Sequence, residues 1–172
     1  SLMQALKDAL GNVNVIAEDL GFLTDGVRRL LYDSGFPGMK VIQFAFDSRE
    51  ESDYLPHNYE KNCVVYTGTH DNDTLCGWYK VLDPEDLKLS QKYMNNANTP
   101  KRQIHWDFIR LALASVADLC IIPLQDYLGL GSEARINTPS TLGKNWRWRM
   151  KQGCLTKELA DRIRELTTLY GR

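Results

Sequence analysis

The sequence predicts an α/β fold on a parallel sheet, either a piece of a (β/α)8 barrel or a small open sheet. Three observations predict it. Four short runs, residues 13–17, 39–46, 63–67 and 119–124, are continuously apolar, β-branched or aromatic, with no clean alternation. Strands covered on both faces read this way in parallel sheets. Helical patterns lie between and around these runs, and that alternation argues for parallel pairing. Polar and acidic residues then follow each run: Glu18-Asp19, Gln43 with Asp47, residues 68–73, and Gln125-Asp126. The carboxyl ends of strands are where α/β folds place chemistry. Four such strands are half of a (β/α)8 barrel, which needs roughly 250 residues; this chain has 172.

The elements follow in order. Residues 2–10 form an amphipathic helix, and residues 13–17 the first strand. Thr24 N-caps a helix running to about Ser34, with Gly35 and Pro37 as stop signals. The second strand, 39–46, gives way to a polar, non-periodic stretch, 47–62, that reads as a surface loop, and the third strand is 63–67. Asp83-Pro84-Glu85-Asp86 opens a helix, with Pro at its first position and acids in its first turn. Thr99-Pro100 repeats the device for a helix whose apolar face carries Ile104, Phe108, Leu111 and Val116. The fourth strand is 119–124. Thr156 caps the last helix, through Leu159, Ile163, Leu166 and Leu169. The length fits one domain over residues 1–172.

Composition excludes several classes. Lys plus Arg number 21 against 22 Asp plus Glu, a net charge of −1. That balance leaves no electrostatic footprint for nucleic acid or an anionic membrane. The most apolar stretch, 108–124, contains Arg110, Ser115 and Asp118 and is no membrane span. Cysteines stand at 63, 76, 120 and 154 without a C-x-x-C pair, which excludes a zinc ribbon or a thioredoxin-type motif. Cys63 and Cys120 sit in apolar runs, where Cys acts as a small hydrophobe, and a reduced, intracellular protein is expected. No secretory leader pattern opens the chain. Ser1, with Met3 as the first methionine, points to a start that was processed, tagged or cut from something longer.

Glu18 and Asp71 are the carboxylates of most interest. Two carboxylates at a strand-end rim suit glycosyl transfer, where one group protonates a leaving oxygen and another faces the sugar carbon. Helix capping or loop hydrogen bonding is the bland alternative. His70 can hold a hydroxyl, act as a base or be structural; metal binding has no support from ligand spacing. Residues 71–73 resemble the start of a calcium loop, but Leu75 and Cys76 stand where that loop needs an oxygen ligand and Gly. Residues 129–134 match G-x-G-x-x-A, yet they stand off the strand, Thr138-Pro139 soon follows, and no ribose-binding acid is placed downstream. Trp78-Tyr79 and residues 145–149 either stack on sugar rings or pack in the core. No cofactor and no metal are expected.

Together the motifs form one ordered set. It comprises Ile16-Ala17-Glu18-Asp19-Leu20-Gly21, Gly35-Phe36-Pro37-Gly38-Met39-Lys40-Val41, Leu55-Pro56-His57-Asn58-Tyr59, and the run from Val64 through Thr69-His70-Asp71-Asn72-Asp73-Thr74. Pro123-Leu124-Gln125-Asp126, Leu130-Gly131-Ser132-Glu133-Ala134-Arg135 and Asn145-Trp146-Arg147-Trp148-Arg149 complete it. From about residue 2 to 170, the chain closely resembles the C-terminal part of the amylomaltases, the 4-α-glucanotransferase (disproportionating enzyme) family.

The resemblance implies the C-terminal half of a (β/α)8 barrel with about four parallel strands. It implies transfer of an α-1,4-glucan segment to the 4-hydroxyl of an acceptor sugar, with retention, through a covalent glycosyl-enzyme. Glu18 then matches the general acid/base and Asp71 the carboxylate that stabilises the transition state. His70, Asp47 and Asn72 match substrate-contacting positions. The family's nucleophilic aspartate has no counterpart in residues 1–172, so this chain is expected to be inactive alone. The implied partners are α-1,4-glucans and maltooligosaccharides with glucose as acceptor, no nucleic acid and no membrane. The implied location is cytoplasmic, or plastid in a plant. An exposed half-barrel is also expected to self-associate. The alternatives are a non-catalytic glucan-binding module, or a small α-glucoside hydrolase using Glu18 and Asp71.

Overall fold

The computed structural model describes residues 2–11, 14–21 and 23–172. Helix α1 (Leu2–Leu10) is amphipathic in sequence, but Leu6 and Leu10 stay exposed; Lys7 ties it to the rest by donating to the Ser34 carbonyl. Helix α2 (Asp25–Ser34) starts where Thr24 Oγ1 accepts from Val27 N–H, and it ends at Gly35. Gly35 adopts φ +69°, a left-handed conformation that closes a helix at little cost only for a residue without a Cβ.

Three strands form one sheet: β1 (Gly38–Val41), β2 (Cys63–Tyr66) and β3 (Leu119–Ile121). Their order is β1-β2-β3 and both pairings are parallel, as the sequence predicts. Gly38 pairs with Cys63, and Val64 with Leu119. Continuous apolar character predicts burial on both faces. That holds at β2, where Cys63, Val64 and Val65 are buried, and fails at β3, where Leu119 and Ile121 are exposed. Burial pushes the Cys63 and Cys120 thiols up to about 11, as small inert hydrophobes require.

The expected fourth strand is absent among the described residues. Val13 lies outside them, and residues 14–17 form no strand ladder. Ala17 N–H donates to the Pro37 carbonyl at 2.9 Å, but Pro37 has no N–H to return. The next ladder place is taken by a side chain: Asp19 Oδ1 accepts from Met39 N–H at 2.6 Å. A Cβ on Gly38 would lie 2.6 Å from the Asp19 carboxylate, so glycine is what lets it in. The count of about four strands is therefore corrected to three.

The remaining helices are α3 (Leu75–Val81), α4 (Pro84–Met94), α5 (Ile104–Leu113), the single turn α6 (Leu124–Tyr127) and α7 (Lys157–Leu169). Asp83 caps α4 and Thr156 caps α7 through side-chain oxygens, as expected. Helix α5 ends before Val116, which is exposed. Its last turn is sealed by Arg172, whose guanidinium donates to the carbonyls of Leu113, Ser115 and Ala117. Leu169 also falls on the exposed side of α7. The stretch 47–62 is not only surface: Ser52 and Tyr59 are buried, with Tyr59 Oη donating to the Tyr54 carbonyl.

The core gathers on Phe108 of α5, which is fully buried. Phe46, Trp78 and Tyr79 meet its ring edge-on at centroid distances of 5.9, 5.2 and 5.9 Å. These contacts join the segment that follows β1 to α3 and α5. Trp78 and Tyr79 thus both pack on the core, and Trp78 also reaches the cleft at the strand ends. Phe108→Ala is expected to destabilise the chain by about 3–5 kcal/mol, the usual cost of emptying a buried aromatic site, and urea unfolding measures it; a loss below about 1 kcal/mol would deny Phe108 this role.

Candidate active-site cleft

The carboxyl ends of the strands open into a cleft of about 1540 Å³. Glu18, Asp47, His70, Asp71 and Asn72 all line it, so five positions spread over 55 residues of sequence converge on one cavity. Gln43, Tyr54, Tyr66 and Trp78 line it as well. Glu18, Gln43, Asp47 and residues 70–72 all lie on segments that follow β1, β2 or the stretch that pairs with Pro37 through Ala17, and this brings them to one end of the sheet.

The loop from Gly68 to Asp73 carries three of the five. Asn72 Oδ1 accepts from the Thr69 N–H and hydroxyl at 2.9 and 2.8 Å, closing the loop on itself. Gln43 is buried and donates to the Asp73 carbonyl at 2.7 Å. It reaches across Gly68, where a Cβ would stand 2.6 Å from its amide nitrogen. Gly68 is therefore fixed by close approach, not by turn geometry.

Asp71 is half-exposed. Its Oδ1 accepts from Asn137 Nδ2 at 2.6 Å and lies 3.4 Å from His70 Nε2. Its backbone is held too: Arg135 donates to the Asp71 carbonyl at 2.6 Å, and Asn137 N–H donates to that of His70 at 3.1 Å. The His70 ring lies against the Trp146 indole, centroids 5.1 Å apart and planes 34° apart. The sequence reading missed Arg135 and Asn137. They belong to an irregular stretch far along the chain, and no periodicity or spacing points from them to Asp71.

Asp47 has a different environment. Arg49 donates to both its oxygens, at 2.8 and 2.6 Å, and this pairing holds the carboxyl down at about 2. Glu18 is exposed, and its side chain makes no hydrogen bond or ion pair among the described residues. No group of three or more potential metal ligands forms among those residues. The G-x-G-x-x-A stretch leads into a three-residue turn of 3-10 helix, Ser132–Ala134, and opens no α-helix for a pyrophosphate. Outside the cleft lining, Cys76 Sγ stands 3.8 Å from His105 Nδ1. Burial raises that thiol and lowers the imidazole to about 4, so the pair does not ionise into a nucleophile.

Asp126 anchors the loop from below. It is 2% exposed, and its two oxygens accept from Thr67 Oγ1 at 2.6 Å and Leu75 N–H at 2.8 Å. Thr67 is the first residue after β2 and Leu75 starts α3, so one carboxylate pins both ends of the loop bearing His70 and Asp71. Burial pushes its pKa up to about 6, against the two hydrogen bonds that lower it. The folded chain then holds this proton more tightly than the unfolded chain does. The contribution is full below pH 4 and lost as pH rises through about 6. Asp126→Asn removes the titration. From pH 4 to 7, stability is expected to shift in the variant's favour relative to the parent by about 2.5 kcal/mol, most of the roughly two pKa units at ~1.4 kcal/mol each. Urea unfolding across that range measures it, and a constant difference between the two proteins would contradict the assignment.

Comparisons with known proteins give the family and the fold. A profile of the family described as 4-alpha-glucanotransferase matches residues 1–156. The chain is 49% identical over 172 residues to a 4-alpha-glucanotransferase of Clostridium butyricum, covering 99% of this chain and 35% of that protein. It is 46% identical over 175 residues to a chloroplastic/amyloplastic 4-alpha-glucanotransferase of Arabidopsis thaliana, covering 100% and 30%. Among solved structures it superposes on an amylomaltase from Streptococcus agalactiae in complex with acarbose, with TM-score 0.92, 38% identity, and coverage of 99% and 34%. An amylomaltase from Corynebacterium glutamicum, at 16% identity and TM-score 0.71, shares the fold. The chain spans about a third of the length of the curated relatives it matches. No helix among the described residues is long and apolar enough to cross a membrane. By its profile match, its relatives and its fold, the chain belongs to the 4-alpha-glucanotransferase family.

Proposed function

We propose that residues 1–172 supply one side of the active site of a retaining 4-α-glucanotransferase. The observation that carries this reading is the convergence of Glu18, Asp47, His70, Asp71 and Asn72 on one cleft in a chain of this family. In the reaction proposed, Glu18 protonates the glycosidic oxygen that leaves and later takes the proton of the incoming 4-hydroxyl. Asp71 faces the positive charge that develops at the sugar carbon. Asn137 suits it to that role, because a neutral amide orients the carboxylate without cancelling its charge. His70, Asp47 and Asn72 contact sugar hydroxyls. The substrates are α-1,4-glucans and maltooligosaccharides, with glucose among the acceptors. The acarbose held by the Streptococcus agalactiae relative supports a glucan-shaped cleft.

A retaining mechanism needs a second carboxylate about 5–5.5 Å from the acid/base, on the other face of the sugar. In this reading that nucleophile is not among residues 1–172, so the chain alone transfers nothing. The same reading makes residues 1–172 a single domain, the C-terminal half of a (β/α)8 barrel. Consecutive parallel strands with the cleft at their carboxyl ends support it. The exposed Leu119 and Ile121 on β3, with Val15 and Ile16 at the other edge, are apolar surface that a closed barrel would cover. The isolated chain is therefore expected to self-associate, as a molar mass by light scattering that rises with concentration; a constant monomer mass would count against an open half-barrel.

The deciding experiment is a maltotriose disproportionation assay on this chain, with Glu18→Gln as control and a titration with maltoheptaose by calorimetry. The expected result is no glucose or longer oligosaccharide, with heat of binding at millimolar ligand. Products that vanish in Glu18→Gln would place a complete catalytic set within these residues. A folded chain that binds no maltoheptaose would remove the glucan reading of the cleft.

A further inference from the structure

Trp146 is an unusual residue on this rim. It has φ +63°, a left-handed conformation that is a genuine outlier for a bulky side chain. It is not held there by burial, since it is 58% exposed. What holds the backbone is a set of hydrogen bonds. Trp146 N–H donates to the Ile136 carbonyl at 2.8 Å, and Arg149 Nη1 donates to the Trp146 carbonyl at 3.1 Å. The preceding residue, Asn145, fastens the loop on itself: its Oδ1 accepts from Thr138 N–H, and its Nδ2 donates to Thr141. A strained backbone so firmly tied points to something the conformation achieves. Here it turns the indole back against the His70 ring.

His70 needs such a support. Its ring is half-exposed, and its polar contact among the described residues is the long 3.4 Å approach of Nε2 to Asp71 Oδ1, too long and weak to fix a ring. The indole closes one face of the imidazole. The Arg135 and Asn137 bonds to the backbone of His70 and Asp71 come from the other end of the same 135–146 loop. That loop thus grips the backbone and the ring of one rim segment together.

We propose that Trp146 is a positioning residue for His70, its strained backbone aiming the indole so that the imidazole stays beside Asp71 and faces the cleft. The functional part of this claim rests on the glucan-binding reading of the cleft. Trp146 itself does not line the cavity, so it acts through His70 and not by stacking on the ligand.

Proton NMR of the 172-residue chain tests the placement without any ligand. An indole face shifts the ring protons of an imidazole stacked on it. Three histidines are present, and His70→Gln assigns the resonance. In Trp146→Leu the His70 ring protons are expected to move toward their unstacked position, while those of His57 and His105 stay. Trp146→Phe, which keeps a ring, is expected to restore most of the shift. Maltoheptaose affinity is expected to fall about fivefold in Trp146→Leu, recover in Trp146→Phe, and be unchanged when Trp146→Leu is added to His70→Gln. Unmoved His70 resonances in Trp146→Leu would overturn the proposal. So would an affinity loss that persists in the His70→Gln background, because the indole would then act on the ligand directly. If the parent chain binds no maltoheptaose, the glucan reading fails, and the resonance positions alone decide where Trp146 holds His70.

Discussion

Asp126 sits on the single-turn helix α6, almost wholly out of water, and accepts from the last turn of chain leaving β2 and from the first amide of α3. Burying a carboxylate is costly unless its oxygens are satisfied. Both are satisfied here, by a hydroxyl and by a helix N-terminal N–H that would otherwise lack a partner. The result is a fixed span between Thr67 and Leu75. The His70-Asp71 side of the rim hangs from that span: the self-closed turn at Thr69 and Asn72, the Gln43 amide under Asp73, and the His70-Asp71 pair at the apex. The neighbouring Asp73 is fastened separately, through the Ser132 hydroxyl at 2.6 Å. Two carboxylates close together below the loop are tolerated because each has its own donors.

The carboxylates facing the cleft are set up in contrasting ways. Asp47 is clamped by a guanidinium and its charge is largely answered. Asp71 is oriented by an amide, so its charge remains available to the cavity. Glu18 is exposed, on a segment outside any helix or strand, with no partner among the described residues. In the acid/base role proposed for it, Glu18 would gain from enclosure. The described residues do not enclose it. The open side of the cleft, the exposed outer strand and the share of the relatives' length this chain spans are consistent with one another in that respect.

The long 135–149 stretch shows how irregular backbone can be made specific. It has little secondary structure beyond its start, so its amides and carbonyls are satisfied one at a time. Asn145 fills several of those places at once, while the Arg135 guanidinium donates to the Asp71 carbonyl and the Asn137 N–H to the His70 carbonyl. The stiffness of the rim is thus borrowed from a loop more than 60 residues away in sequence.

Much of this was legible in the chain itself. Thr24, Asp83 and Thr156 announced helix starts because an N-cap is a local event, decided by one side chain and the next three amides. Apolar runs marked β1, β2 and β3; at β2 the cause is burial on both faces, whereas β3 keeps Leu119 and Ile121 exposed. Acidic residues trailing the strands marked the rim. Helix α3 escaped notice although Thr74 caps it, because Gly77 weakens the helical pattern, and that glycine is there for the close approach of Asp73 and Ser132. The first strand was overestimated, because pairing needs a neighbour that donates and Pro37 cannot. Sequence alone determined which residues could act: their types, order and family pattern are one-dimensional facts. Tertiary structure decided which of them are held, since Asn137 on Asp71, Trp146 on His70 and Asp126 on Thr67 each join positions at least 59 residues apart, and no local periodicity records such a meeting.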